Sequence, residues 1–174
     1  MKLEFSGAAL GVTGSKHLLT VNGKKILMDC GLFQGRRLQS IKANMTFPFD
    51  PAEIDAVVLS HAHIDHSGAL PALVKNGFSG PIFCTHATRD LCTIMLKDSG
   101  YIQEKDAEWL KKKLKDKSAE PLYTIADAEK SITQFRSVNY DQTFRVVPGV
   151  NVTFHDAGHL LGSAMVEWDI VDDE

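Results

Sequence analysis

The segment that most constrains this chain is a run of metal-ligand residue types that follows directly on a buried strand. Residues 56–60 (AVVLS) are a continuous apolar run, which predicts a strand covered on both faces. Residues 60–68 (SHAHIDHSG) follow at once and place three histidines and an aspartate within six positions. Such a concentration of ligand types at the end of a strand predicts a metal site at the edge of a sheet.

The spacing within this segment divides the four candidate ligands into two sets. Side chains two residues apart point the same way in an extended segment, so His61 and His63 can converge on one ion. Asp65 and His66 are adjacent, and after a turn they can face a second ion. Imidazole nitrogen and carboxylate oxygen are ligands that zinc accepts. Two ions about 3.5–4 Å apart can clamp an in-line displacement, so the pattern is typical of a two-metal hydrolase.

His159 is the candidate that completes the first set. It lies in residues 156–164 (DAGHLLGSA), after a strand pattern and between Gly158 and Gly162, which permit close backbone approach or a positive φ. A loop histidine alone is a weak candidate, but the two histidines of the first set leave a three-ligand zinc site incomplete. We therefore interpret His159 as the third ligand.

Asp29 ends a strand pattern in residues 27–31 (LMDCG) and has two interpretations. A turn aspartate commonly bonds the backbone. Alternatively, its carboxylate accepts from a ligand histidine and fixes the tautomer of that histidine, and we favour this second role. The other histidines, His17, His86 and His155, lie in strand or turn patterns and are interpreted as structural residues.

Composition excludes few functions. The chain has 174 residues, 44% of them hydrophobic and 24% charged, and its net charge of −3 gives no global basic footprint for nucleic acid. No apolar run reaches membrane-spanning length, and no signal peptide is indicated. Cys30, Cys84 and Cys92 lack a paired spacing, which favours reduced thiols in a cytoplasmic protein; a catalytic or metal-binding thiol is the alternative.

Predicted strands and helices alternate along the chain, which indicates sheets covered by helices. Asn22-Gly23 suits a type I′ turn between two of the strands. The predicted strands cover residues 17–21, 25–29, 56–60, 81–84, 144–147, 150–155 and 164–170. Helices are predicted over residues 69–74 with Gly77 as the stop, from an N-cap at Thr88 to about Lys97, over 103–117, and from a capping box at Thr124 and Asp127 onward.

Two of these helices have a predicted buried face. In the helix over 103–117 the expected stripe is Ile102, Trp109, Leu110 and Leu114, and in the last helix it is Ile125, Ala128, Ile132 and Phe135. The lysines of 111–117 are interpreted as a solvated helix face, with contact to phosphate as the alternative.

Together these motifs resemble the metallo-β-lactamase-fold hydrolases, whose signature HxHxDH matches residues 61–66. The resemblance narrows to the β-CASP group, RNA-processing nucleases that include the polyadenylation-factor endonuclease and its prokaryotic relatives. It covers essentially all 174 residues. Further stretches that carry it are residues 11–15 (GVTGS), 27–35 (LMDCGLFQG), 95–100 (MLKDSG), 101–104 (YIQE), 121–124 (PLYT) and 158–164 (GHLLGSA).

The resemblance implies an α/β fold of the αββα sandwich type and a role for each candidate residue. The implied ligands are His61, His63 and His159 for one zinc ion and Asp65 and His66 for the other, with Asp29 as the aspartate that orients the site. Asp29 and Asp65 are the candidate catalytic residues.

The resemblance also implies parts that these residues do not include, namely a metal-bridging aspartate, the final strands of the hydrolase domain, and a β-CASP domain with a further catalytic histidine. Residues 1–174 are therefore expected to be the N-terminal part of the hydrolase domain of a longer enzyme. We expect the isolated chain to hold at most one zinc ion well and to be inactive. The strand over 164–170 has no following hairpin partner, so we also expect self-association.

The function that this implies is a zinc-dependent phosphodiester hydrolase acting on RNA, with DNA as an open alternative substrate and no membrane partner. One rival is a small-molecule hydrolase of the same fold, such as a thioester or lactam hydrolase, because a fold alone does not decide the substrate. Another is a non-catalytic scaffold subunit of a nuclease complex. The complete set of candidate ligands argues against the scaffold.

Overall fold

A computed structural model describes residues 1–35, 37–113 and 119–172, with the backbone alone for 37–39. The strands are β1 Lys2–Phe5, β2 His17–Val21, β3 Lys24–Met28, β4 Ala56–Val58, β5 Ile82–Thr85, β6 Phe135–Val138, β7 Thr143–Val147, β8 Val150–Asp156 and β9 Ala164–Ile170. The helices are α1 Arg37–Asn44, α2 Ile64–Ser67, α3 Leu70–Lys75, α4 His86–Lys113 and α5 Ile125–Ile132, with a 3₁₀ turn at Pro51–Glu53. In this part of the chain, no helix has the length and apolar character needed to cross a membrane.

The strands form two sheets. The first has six strands in the order β1-β2-β3-β4-β5-β6, antiparallel up to β3 and parallel from β3 to β6. The second is the antiparallel meander β7-β8-β9. The β2–β3 hairpin turns at Asn22 (φ 51°) and Gly23 (φ 71°), as a type I′ turn requires, so this prediction is confirmed.

Alternation of side chains along the six-stranded sheet builds an apolar core on each of its faces. In β4, Val57 joins a cluster with helix residues such as Leu73 and Leu96. Its neighbours Ala56 and Val58 join a second cluster with residues of the smaller sheet, such as Phe154. The two sheets therefore pack face to face, and helices cover the far side of the larger one. This is the layered α/β arrangement that the sequence predicted.

The carboxyl ends of the parallel strands meet at one edge of the larger sheet. Asp29 follows β3, Ser60 follows β4, and Thr85 ends β5. The loop between β8 and β9 reaches the same edge, where the Ala164 amide donates to the Ser60 carbonyl at 2.9 Å. This edge therefore collects every segment that the sequence predicted to carry ligands.

The prediction of two helices between residues 88 and 117 is wrong. One helix, α4, runs from His86 to Lys113, so Thr88 lies inside its first turn and is not an N-cap. The predicted stripe is also wrong, because Ile102 and Trp109 are each about half exposed, at 51% and 50%. Leu110 is half-buried. Leu114, the fourth predicted member of the stripe, and the lysines at 115 and 117 lie outside the described residues.

The buried face of α4 instead consists of Thr88, Cys92, Leu96, Gly100 and Ala107. Gly100 lies inside α4, beyond the end that was predicted near Lys97, and it faces the start of α5. A Cβ at this position would lie 3.0 Å from the Ile125 nitrogen and 3.0 Å from the Thr124 carbonyl. The glycine therefore allows the start of α5 to pack directly on α4, and it does not end the helix.

The predicted capping box at the start of α5 is confirmed. The Thr124 hydroxyl accepts from the Asp127 amide at 3.2 Å, and the Asp127 carboxylate accepts from the Thr124 amide at 2.9 Å. Phe135, however, belongs to β6 and not to the helical stripe. The sequence also missed α1 and the strand character of β6.

Candidate metal centre

Three histidines from two distant segments converge at the sheet edge; we call His61, His63 and His159 the histidine triad. One ring nitrogen of each lies within 4.8 Å of the others. The His63 Nδ1 and His159 Nε2 atoms are 3.1 Å apart. His61 is buried, His63 is half-buried and His159 is exposed, so the cluster opens to solvent on one side.

This geometry fits a zinc ion. Tetrahedral zinc, with Zn–N bonds of about 2.0–2.1 Å, separates its nitrogen ligands by roughly 3.3 Å. The His63 and His159 nitrogens, 3.1 Å apart, already lie near that separation, and a donor set of three imidazoles is typical of catalytic zinc sites that keep one open position. The triad could therefore hold one ion with little rearrangement.

The tautomer of His61 is fixed by Ser60. The Ser60 hydroxyl donates its single proton to Asp29 Oδ2 at 2.9 Å, so its 2.9 Å contact with His61 Nδ1 requires the histidine nitrogen to donate. This leaves His61 Nε2 as the free lone pair. Burial, reinforced by the neighbouring charge on His66, lowers the pKa of His61 to about 4 and keeps the ring in the neutral form that binds a metal.

Asp29 is the anchor of the site. It sits directly after β3 in a left-handed conformation with φ 58°, and it is almost completely buried. Its carboxylate accepts from the Ser60 amide at 2.7 Å, from the Ser60 hydroxyl, and from His66 Nδ1 at 2.7 Å. The contact required for fixing the tautomer of a candidate ligand histidine is therefore present, on His66 directly and on His61 through Ser60.

Asp65 and His66, which we call the Asp65–His66 pair, lie in the short helix α2 beside the triad. Because Asp29 engages His66 Nδ1, the Nε2 atom is left free, and it lies 3.7 Å from Asp65 Oδ2. Burial opposes a charge on His66, but the hydrogen bond that His66 donates to Asp29 and the charges of both aspartates outweigh this effect and raise the pKa of His66. The ring centroids of His61 and His66 are 4.0 Å apart, so the pair adjoins the triad.

Close backbone packing holds α2 in place. The Ser15 amide donates to the Asp65 carbonyl at 2.9 Å, and the Cys30 amide donates to the His66 carbonyl at 2.7 Å. Gly31 lies so near that a Cβ would be 1.6 Å from the Asp65 oxygen. Glycine is therefore required at position 31 for the pair to reach its place.

The structure separates the remaining candidates from this site. His155 bridges Asp141 at 2.8 Å and Glu167 at 2.7 Å on the outer face of the small sheet, and His17 packs edge-on against Phe5. His86 begins α4 and is exposed. The structural interpretation of His17 and His155 therefore agrees with their contacts, and none of the three joins the triad.

The three cysteines do not contribute to the candidate site. All are buried and unpaired, as expected for reduced thiols. Burial raises the pKa of Cys30 and of Cys92 to about 12 and that of Cys84 further, which disfavours the reactive thiolate form. The alternative of a catalytic thiol therefore finds no support in their surroundings.

The sequence analysis missed Ser60. It was assigned only to the end of a strand, yet its hydroxyl connects Asp29 to His61. The available signal was its position immediately before the first ligand histidine, since a hydroxyl there can reach both the preceding strand and the next ring.

Comparison with known proteins gives the class. The chain belongs to the metallo-β-lactamase superfamily: the sequence model of the Metallo-beta-lactamase superfamily domain matches residues 18–174. Solved structures agree on the fold. A metallo-β-lactamase from Cronobacter sakazakii superposes with a TM-score of 0.57 over 95% of this chain and 51% of its own, at 19% identity.

The similar curated proteins narrow the group. Ribonuclease TTHA0252 of Thermus thermophilus is 38% identical over 95% of this chain and 34% of its own length. Cleavage and polyadenylation specificity factor 73 of Drosophila melanogaster is 39% identical over 91% of this chain and 22% of its own. The transcription termination factor FttA of Methanococcus maripaludis is 35% identical over 85% of this chain and 22% of its own length. The resemblance to the β-CASP group of RNA nucleases is thereby confirmed, and the chain spans about a quarter to a third of these relatives.

Proposed function

We propose that this chain carries most of the metal centre of a zinc-dependent phosphodiester hydrolase that acts on RNA. The observation that carries the proposal is the convergence of the histidine triad beside the Asp65–His66 pair at one sheet edge. Two of the relatives, a ribonuclease and a cleavage and polyadenylation specificity factor, support RNA as the substrate class.

In this proposal the triad holds one zinc ion, and the Asp65–His66 pair contributes to a second. Bound zinc at such a site supplies Lewis-acid stabilisation of a phosphoryl oxygen and lowers the pKa of a water. Zinc is the proposed ion because three imidazole nitrogens around one open position are a donor set typical of catalytic zinc sites.

The protein groups have distinct roles toward that chemistry. Asp29 keeps Nε2 of His66 free, and Ser60 does the same for His61, so both rings present a lone pair without first rotating. Asp65 is only partly buried, and its carboxylate oxygen Oδ2 lies 3.7 Å from His66 Nε2. There it can accept a hydrogen bond from an attacking water and orient it toward phosphorus.

Two rival functions lead to different measurements. A small-molecule hydrolase would use the same triad, and the lactamase likeness at 19% identity bears on the fold alone. A scaffold subunit would not need the intact Asp29–Ser60–His61 hydrogen bonds that preset the ligand tautomers. Those bonds favour an active centre.

The buried thiols fit our prediction of a cytoplasmic protein.

The relatives are roughly three to four times as long as this chain, so the proposal includes groups from a longer protein, among them a metal-bridging aspartate and a leaving-group acid. The test uses end-labelled RNA and DNA oligonucleotides, a β-lactam and a thioester, each with zinc. We expect the longer protein to cut RNA and the 174-residue chain to give no turnover above background. Cleavage of the lactam or thioester instead of RNA would favour the first rival, and RNA cleavage by the isolated chain at enzymatic rates would contradict the need for further groups.

A further inference from the structure

The loop that carries His159 is held by a pair of buried threonines. The carbonyl of Gly162, three residues after His159, accepts from the Thr85 hydroxyl at 2.6 Å and from the Thr88 hydroxyl at 2.8 Å. Thr85 ends β5 and Thr88 lies in the first turn of α4, and both are buried. The sequence analysis gave Thr88 a different role, as a helix cap, and gave Thr85 none.

The proton count shows that both hydroxyls serve the loop. Each hydroxyl has a single proton, and both can be directed at Gly162, while Thr85 Oγ1 also accepts from the Thr88 amide at 3.3 Å. Neither threonine therefore needs another acceptor. Loss of both hydroxyls would leave the Gly162 carbonyl buried without a donor from them, which is costly.

Gly162 itself fits no larger residue. Its φ is 87°, and a Cβ would lie 2.5 Å from the Thr88 nitrogen and 2.9 Å from the Thr85 hydroxyl oxygen. The loop thus touches the start of α4 through its backbone. This close approach places the Gly162 carbonyl within reach of the short hydroxyl groups of Thr85 and Thr88.

Further hydrogen bonds within and around the loop help to hold it. On one side it borders a cavity of about 240 Å³ lined in part by His86 and Leu161, and Leu161 is 76% exposed. Within the loop, the Ser163 hydroxyl accepts from the His159 amide at 3.2 Å, and the Tyr140 hydroxyl donates to the Ser163 carbonyl at 2.8 Å. The segment is therefore held by polar contacts around an exposed histidine.

We propose that Thr85 and Thr88 are positioning residues for His159: their two hydroxyl donors to the Gly162 carbonyl hold the loop where His159 can complete the histidine triad. The inference rests on the proposed metal centre. It concerns only the position of His159, and it assigns the threonines no contact with metal or substrate.

The test measures the affinity of the chain for Co²⁺ and Zn²⁺ by competition with a chromophoric chelator, together with the visible absorption of bound Co²⁺. The variants are Thr85→Val and Thr88→Val, singly and combined, which replace each hydroxyl by a methyl group of similar size. We expect the double variant to lose roughly 10–100-fold in affinity, the range typical of groups that orient a ligand. We also expect an altered Co²⁺ spectrum and a normal affinity in Thr88→Ser, which keeps the hydroxyl.

Ser131→Ala is the matched control. Ser131 is fully buried in α5 and donates to the Ala128 carbonyl at 2.7 Å, so its loss removes the same kind of bond at a distance from the loop. Thermal unfolding without metal compares the stability of the variants. If Ser131→Ala lowers the metal affinity as much as the double variant does, general destabilisation explains the effect and the inference is wrong.

His159→Ala separates the two proposals. Should it bind metal as the unaltered chain does, the metal centre itself is wrong. Should it lose affinity while the threonine variants keep theirs, only the positioning role is overturned. If the double variant does not fold, the single variants decide, and unchanged affinity in both would overturn the inference.

Discussion

The histidine triad and the Asp65–His66 pair lie side by side but are built in opposite ways. The triad combines residues 96 positions apart in the sequence, from the ends of strands in two different sheets. The pair is local, formed by adjacent residues of α2 and anchored by a buried aspartate. The triad therefore depends on the packing of the two sheets, and the pair depends on one carboxylate.

The difference predicts unequal metal binding. The triad offers three converging nitrogens, enough for a zinc site with one open position. The pair offers two side chains whose nearest ligand atoms are 3.7 Å apart, and two protein ligands are few for tight binding. The pair is better preorganised by hydrogen bonds, and the triad is better supplied with ligands.

Removing a triad ligand should have the largest effect. We expect His63→Ala to lower zinc affinity by on the order of 100-fold or more and to abolish RNA cleavage by the longer protein, because three ligands fall to two. His63 is only half-buried, so the fold should persist. His155→Ala is the control, since this histidine contacts only carboxylates away from the triad. Unchanged zinc content and RNA cleavage in His63→Ala would mean that the ligand assignment is wrong.

Asp29→Asn should act more on the pair than on the triad, because Asp29 contacts His66 directly and His61 only through Ser60. Asparagine tolerates φ 58°, but its amide nitrogen cannot accept from His66 Nδ1 as the carboxylate does. We expect RNA cleavage to fall roughly 10–100-fold while most triad zinc is kept. Asp141→Asn is the control, because Asp141 has φ 57° and also contacts a histidine, yet lies on the exposed face of the small sheet. Equal effects of the two substitutions would remove the distinction between triad and pair.

The number of zinc ions bound per chain tests whether the triad and the pair bind metal equally well. One ion is expected if only the triad binds tightly, and two if both do. At micromolar zinc we expect at most about one ion per 174-residue chain after dialysis, because the triad alone supplies three ligands. Elemental analysis of dialysed protein gives the number directly. Two tightly held ions would show that the pair binds metal as well as the triad does.

The smallest expected effect concerns the strand beside the His159 loop. Among the described residues β9 pairs with β8 alone, and Met165 on it is 61% exposed. An open strand edge favours pairing between chains, so we expect the isolated chain to form dimers or larger species in light scattering. Met165→Lys should shift the equilibrium toward monomer, since charge on an edge opposes pairing. A monomeric unaltered chain at high concentration would contradict this expectation.

The parts of the molecule that the sequence predicted best are those governed by local rules. The Asn22-Gly23 turn, the Thr124 capping box and the bounds of β9 follow from neighbouring residues. The grouping of the candidate ligands in residues 61–66 could be predicted for the same reason, because it follows from the spacing of adjacent residues. His159 was found because the local motif left a site incomplete, although nothing in its own neighbourhood indicated its partner.

The failures occurred where tertiary contacts override local preference. A helix end was predicted near Lys97, but in the fold α4 continues through Gly100, the point at which α5 packs against it. Thr88 has the residue type of an N-cap, yet its hydroxyl serves a loop 74 residues away. Ser60 was missed because the hydrogen bonds that define its role come from a residue 31 positions earlier. None of these contacts leaves a periodic trace in the sequence.

The long sequence separation between His63 and His159 has a consequence for the stability of the folded chain. A metal ion that joins them acts as a cross-link between the two sheets, since one residue follows β4 and the other precedes β9. Any ligand that binds only the folded state adds to its stability, by about 2.7 kcal/mol at a hundred times its dissociation constant. The supply of metal would thus affect how long a chain survives proteolysis, and a chelator would lower its stability by the same amount.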